Sequence, residues 1–195
     1  MANKDAPFGF RPINMDGSPY NGATIQCYVT TTPTAALFIG DPVKLATSGA
    51  NSTGVADVVQ GTAGAATYGV ITSFVADPSD LSAQHRKVAT ARTINICPVE
   101  GKYFEVQSDD TGTALALASI GLNTNYTAAA GSAYTGASGF ELDAATVATT
   151  TGFDLQIVGF TNDPDNLHSG TGSAPKRVIV RFNNSQLRSG RTGVS

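Results

Sequence analysis

The 195-residue chain has no tryptophan and only two cysteines, two histidines and two methionines. Charge is scarce too. Lys+Arg and Asp+Glu together make up 14% of the sequence, against roughly 25% in an ordinary soluble domain. Each shortage excludes something. Cys27 and Cys97 stand far apart in the apolar runs 25–29 and 94–99, which gives neither a CxxC pair nor a zinc spacing. Free buried thiols are the expected state, with a disulfide as the alternative. Leu, Glu, Lys and Arg, on which helical bundles lean, are too few for that architecture. With 12 Lys+Arg against 15 Asp+Glu, a net charge of −3, the chain lacks the basic excess that phosphate-backbone binding requires, so no nucleic-acid partner is expected. No apolar run approaches a membrane span and the first residues lack the core of a secretory leader, so the expectation is a protein made in a cytoplasm, not exported by the usual route, with no membrane partner. The one basic concentration, Lys176, Arg177, Arg181, Arg188 and Arg191, reads as outward charges on a strand followed by a basic tail.

Catalytic constellations are missing as well. His85 and His168 lie in polar, loop-like contexts that read as solvated surface, and no serine sits in a GxSxG elbow. Nothing in the spacing of Glu100, Glu105 and Glu141 brings two carboxylates together. The glycine-rich stretches 61–64 and 170–173 match neither GxxxxGK[ST] nor GxGxxG. Asn162-Asp163-Pro164-Asp165-Asn166 gathers oxygen ligands for a hard cation. It lacks the DxDxDG alternation and a distal glutamate, which makes a proline-stiffened turn the better reading. A non-enzyme with no cofactor and no metal is the expectation.

What the sequence does hold is 41% hydrophobic residues, 21 Gly and 9 Pro, with Thr, Ser, Ala and Asn in place of charge. The length suits one domain. A surface of small neutral side chains packs against another protein without stripping water from many charges. From Ala23 onward, short β-rich runs alternate with turn residues. They predict strands near 24–30, 42–45, 67–75, 88–99, 103–108, 139–142, 153–160 and 177–182. Turns are expected at Gly40-Asp41-Pro42-Val43 and Asp109-Asp110-Thr111-Gly112. The stretch from Ala114 to a Gly121 stop predicts the only helix. The small-residue stretches 46–66 and 128–151 read as long connections. The fold class is all-β, an antiparallel β-sandwich or barrel with an extended N-terminal arm and at most one short helix. The divisions are an arm over 1–22, a β-rich domain over 23–187 with a looped subdomain around 113–152, and a C-terminal tail over 188–195.

In the arm, Pro7, Pro12 and Pro19 interrupt any helix and Gly9, Gly17 and Gly22 loosen the backbone. The segment is too short to bury its own aromatics. Pro7, Phe8, Phe10, Arg11, Pro12 and Ile13 are therefore the candidate partner-binding residues, since rings and arginine are the usual anchors of protein contacts. The competing reading is that the arm folds back and supplies core contacts to its own domain.

Several phrases spread along the chain carry a family likeness. The opening Met1-Ala2-Asn3-Lys4-Asp5-Ala6-Pro7-Phe8-Gly9-Phe10-Arg11-Pro12 resembles the start of small virion structural proteins of tailed bacteriophages, including marine and cyanobacterial phages. Phe38-Ile39-Gly40-Asp41-Pro42-Val43-Lys44-Leu45, Phe104 to Asp110, Ile120 to Asn123 and Val178 to Asn183 follow in the expected order. The resemblance implies a β-rich capsid decoration or cement protein on the virion surface, synthesised in a bacterial host. Its implied partner is the major capsid protein, and it implies a homo-oligomer, a trimer favoured and a dimer the alternative. It brings no catalytic residues. A tail or head–tail joining component is the alternative, and a glycan-binding β-sandwich using Tyr20, Tyr28, Tyr68, Tyr103, Tyr126 and Tyr134 is a more distant one.

Overall fold

The computed structural model describes residues 3–109, 115–168 and 174–188. Twelve strands follow one another: β1 (Arg11–Ile13), β2 (Ile25–Val29), β3 (Pro42–Ala50), β4 (Ala56–Gln60), β5 (Gly69–Phe74), β6 (Arg92–Pro98), β7 (Tyr103–Gln107), β8 (Asn123–Thr124), β9 (Tyr126–Thr127), β10 (Glu141–Leu142), β11 (Leu155–Phe160) and β12 (Arg177–Phe182). The chain is all-β, and the helical content of the described residues is two 3-10 turns, Leu117–Ser119 and Ala144–Thr146.

Strands β2 to β6 close into a barrel in the order β2-β4-β3-β5-β6, antiparallel except where β2 meets β4. Its interior holds Cys27, Val29, Leu37, Val43, Val58, Ile71, Ile94 and Ile96. The other large unit is an antiparallel sheet in the order β1-β7-β12-β11-β8. Alternation along β12 turns Val178, Val180 and Phe182 inward. There they join Phe10, Phe104, Val106, Tyr126, Phe140, Leu142, Leu155 and Ile157 in a second core. Leu115, Tyr126, Phe140, Leu142 and Ala144 belong to this same core, so the 115–152 stretch packs on the sheet and has no separate interior. Cys27 and Cys97 are free and buried in different cores.

Four sequence expectations change. Within the extended arm expected over 1–22, residues 11–13 form a strand of the sheet. Arg11, Pro12 and Ile13 pair antiparallel with Glu105, Phe104 and Tyr103. Upstream, the Ala6 N–H donates to Gln107 Oε1 at 3.1 Å, Gln107 Nε2 donates to Asp5 at 2.8 Å, and Asn3 bonds Leu167 and Pro175. The physical cause is Phe10, whose ring meets Phe182, edge-on Tyr126 and the rest of the second core. Burying it is worth about 2–3 kcal/mol, and its own sheet is the nearest apolar surface.

The helix expected up to Gly121 shrinks to one 3-10 turn. The residues after it commit their backbone to β11 instead: the Gly121 N–H donates to Ile157 O at 2.8 Å and the Ile157 N–H to Leu122 O at 3.0 Å. A helix this short gains too little from propensity to compete. The stretch 46–66 is no plain connection, since it holds the second half of β3 and all of β4. His85 and His168, expected in solvent, are half-buried, His85 stacked on Phe38 and His168 against the edge of Phe160. The turn at 109–112 beyond its first residue, the stretch 170–173 beyond His168 and Arg191 with the rest of 189–195 lie outside the described residues.

Candidate functional site

An open, mostly apolar groove of about 730 Å³ runs between the N-terminal segment and the barrel. Its walls include Phe8, Phe10, Arg11, Pro12 and Ile13, five of the six residues singled out from sequence, facing Ile39, Gly40, Ile71 and Gly136. Pro7 is exposed and does not line it.

The groove is organised by the turn Phe38-Ile39-Gly40-Asp41. The Asp41 N–H donates to Phe38 O at 3.1 Å, and Gly40, third in the turn, has φ +96°, the pattern of a type II turn, which needs glycine there. Three other segments then satisfy the turn's backbone. The Phe10 N–H donates to Gly40 O at 2.9 Å, the Gly40 N–H to Ile71 O at 2.8 Å, and the Ile39 N–H to Gly136 O at 2.9 Å. The turn thus fastens the N-terminal segment, β5 and the 131–138 loop to one another. Gly9, at φ +72°, makes the crossing close: a Cβ there would lie 2.4 Å from Ser138 Cβ.

Asp41 lies beneath this junction, buried, accepting the Phe38 N–H at 3.0 Å and Gln60 Nε2 at 3.4 Å. Burial pushes its carboxyl up to about 6, and the hydrogen bonds from Ser138, Phe38 and Gln60 hold it back only in part.

The six candidates divide by burial. Phe10 and Ile13 are buried in their own chain, at odds with the expectation that they grip a partner; for these two the competing reading describes the structure. Phe8 and Pro12 are half-buried on the groove wall, and Pro7 and Arg11 are exposed. Arg11 is held in place by an ion pair to the buried Glu105 and lies 5.2 Å from the centre of the Phe8 ring. Around them, Ile39 is exposed, and Tyr134, on the loop that supplies Gly136, is 90% exposed. An exposed aromatic and an exposed isoleucine beside an apolar groove form the kind of surface that docks on protein.

Sequence reasoning missed two buried arginines. The Arg86 guanidinium is fully buried, and donates Nε to Thr90 O at 2.7 Å, Nη2 to Thr30 O at 2.8 Å and Nη1 to Ala35 O. Burial lowers its pKa. Arg92 reaches the carbonyls of Val75, Ala83 and His85. Together they pin the long 75–91 connection to the barrel. Nothing in the sequence marks them: Arg86 stands in the polar run Gln84-His85-Arg86-Lys87, and Arg92 between Ala91 and Thr93. The oxygen-rich turn at 162–166 meets a guanidinium: Arg177 lies 3.0 Å from Asp163 and 3.5 Å from Asp165. Among the described residues no three His, Cys, Asp or Glu side chains group as metal ligands. Of the glutamates, Glu105 pairs with Arg11 and Glu141 accepts from Gln107 Nε2, while Glu100 is exposed.

No known protein-family profile matches the chain, and neither does any curated protein or solved structure.

Proposed function

We propose that this chain is a capsid decoration or cement protein of a tailed bacteriophage, which binds the outside of the assembled head and stabilises contacts between major capsid subunits. The observation that carries this reading is the meeting of two distant phrases of the family likeness, residues 5–12 and 38–45, at one apolar groove. A cement protein joins surfaces that are already folded, so it gains from a docking site whose geometry is set before contact. The glycine-locked turn, with Phe10 anchored behind it, supplies such a site. In this reading Phe8, Arg11, Pro12 and Ile39 meet the neighbour, and Phe10 and Ile13 hold them in position. A homo-oligomer, as a trimer, repeats the contact around a symmetry axis and multiplies modest affinity.

Labelled protein added to heads lacking it tests the proposal. The expected result is saturable coating of the whole shell, in a fixed ratio to capsomers, and its loss with Phe8→Ala combined with Ile39→Asp in a variant that still unfolds cooperatively well above the assay temperature. Labelling of a single vertex would move the chain to the tail or the head–tail junction, and absence of binding would remove the reading.

A further inference from the structure

The C-terminal basic residues do not act as a group. Lys176 is buried, its ammonium donating to the carbonyls of Leu115 and His168, and Arg177 faces Asp163 and Asp165. Arg181 and Arg188 take another course. Both are exposed, neither joins an ion pair among the described residues, and with Lys102 they line a polar cleft of about 260 Å³ completed by Tyr103, Asn183 and Glu100.

The strands fix this arrangement. Arg181 is on the outward face of β12, directly opposite Tyr103 of β7. Lys102 immediately precedes β7, its ammonium 5.4 Å from the centre of the Tyr20 ring. Arg188 donates one Nη1 bond to Asn183 O at 3.2 Å, and among the described residues no other acceptor takes up its five donors. The lining thus carries Arg181, Arg188 and Lys102 against one carboxylate, a local excess of positive charge on a chain whose net charge is −3.

We propose that this cleft binds a side-chain carboxylate presented by an acidic segment of the protein surface on which the chain docks. That the surface is a phage shell rests on the preceding reading; the preference of the cleft for a carboxylate does not. Guanidinium groups hold carboxylates through paired, directional hydrogen bonds, and a space of this size admits one or two such groups. A phosphate backbone needs a continuous basic track. Here Glu100 stands among the cations of the lining, and Lys176 and Arg177, toward the other end of β12, are already engaged.

The test uses the full chain, isotopically labelled for amide NMR and titrated with a short capped aspartate-rich peptide. The asparagine counterpart of the peptide, inorganic phosphate and a single-stranded oligonucleotide serve as comparison probes. The expected result is shifts centred on Lys102, Tyr103, Arg181 and Asn183, with affinity for the aspartate peptide falling at least about tenfold in Arg181→Glu/Arg188→Glu and weakening with salt. Should the double variant not fold, Arg181→Gln and Arg188→Gln separately show the same direction of loss. An equal response to the asparagine peptide, undiminished binding by the variants, or preference for the oligonucleotide or phosphate overturns the proposal. Peptide binding without any attachment to heads would remove the shell reading and leave the cleft; attachment to heads without peptide binding would remove the cleft alone.

Discussion

Gly9 and Gly40 lie back to back, so close that a Cβ on Gly9 would sit 2.7 Å from Gly40 O, and one on Gly40 2.5 Å from Phe8 O. Both have positive φ, +72° and +96°, so any other residue would carry backbone strain in addition to the overlap. Gly9→Ala and Gly40→Ala are each expected to cost about 2–4 kcal/mol, visible as a clear drop in melting temperature. A shift of a degree or less in either would show that the crossing is looser than described.

Phe8 and Phe10 are two residues apart in sequence and differ in burial. Phe10→Ala empties a site within a packed aromatic cluster and should destabilise by about 3–5 kcal/mol. Phe8→Ala removes a half-buried ring from a groove wall and should cost about 1 kcal/mol or less. Denaturant unfolding of the two variants checks the ordering, and equal losses would contradict the assignment of anchor and contact.

Asp41 links stability to pH. Its carboxyl stands at about 6 in the fold, against about 4 when unfolded. The folded chain therefore binds more proton than the unfolded chain between these values. The contribution is fully present below about 4 and is lost as pH rises through about 6, a difference of up to roughly 3 kcal/mol. Asp41→Asn should flatten this part of the curve. Urea unfolding across that window, compared between the two proteins, decides the matter; parallel curves would mean that another group titrates there.

Arg86 offers a local test. In Arg86→Met the carbonyls of Thr30, Ala35 and Thr90 lose their donors, at an expected cost of about 2–4 kcal/mol. The 75–91 connection should then become the first site of limited proteolysis and of rapid amide exchange. Protection unchanged in that connection would show that Arg92 suffices to hold it.

The strands with steady alternation were legible in the sequence: Arg177–Phe182 has the same bounds in both descriptions, and Phe153–Phe160 loses only its first two residues. Strands made of small residues were not. In Ala56–Gln60 two valines, with Val55 just before them, mark a strand set between stretches of Ser, Thr, Gly and Ala, and what makes it a strand is pairing with β3, a relation that no local pattern carries. β1 was hidden for the same reason. Its proline and its short length read as an arm, and its partner β7 lies about ninety residues further on. The groove was half legible: the N-terminal residues were singled out because their rings needed burial, but the opposite wall, Ile39, Gly40, Ile71 and Gly136, comes from three separate stretches. The two arginines that hold the 75–91 connection bond to carbonyls, which every residue type carries, so side-chain identity alone gave no partner to look for.

Among the described residues, the outermost strands of the five-stranded sheet are short. The barrel closes on itself. Of the two outer strands of the sheet, β1 has three residues with Pro12 in the middle, unable to donate, and β8 has two, with Asn123 already bridged to Ala148. On these two outer strands a second copy thus finds little template for zipping backbone to backbone, and contact at those margins falls to side chains.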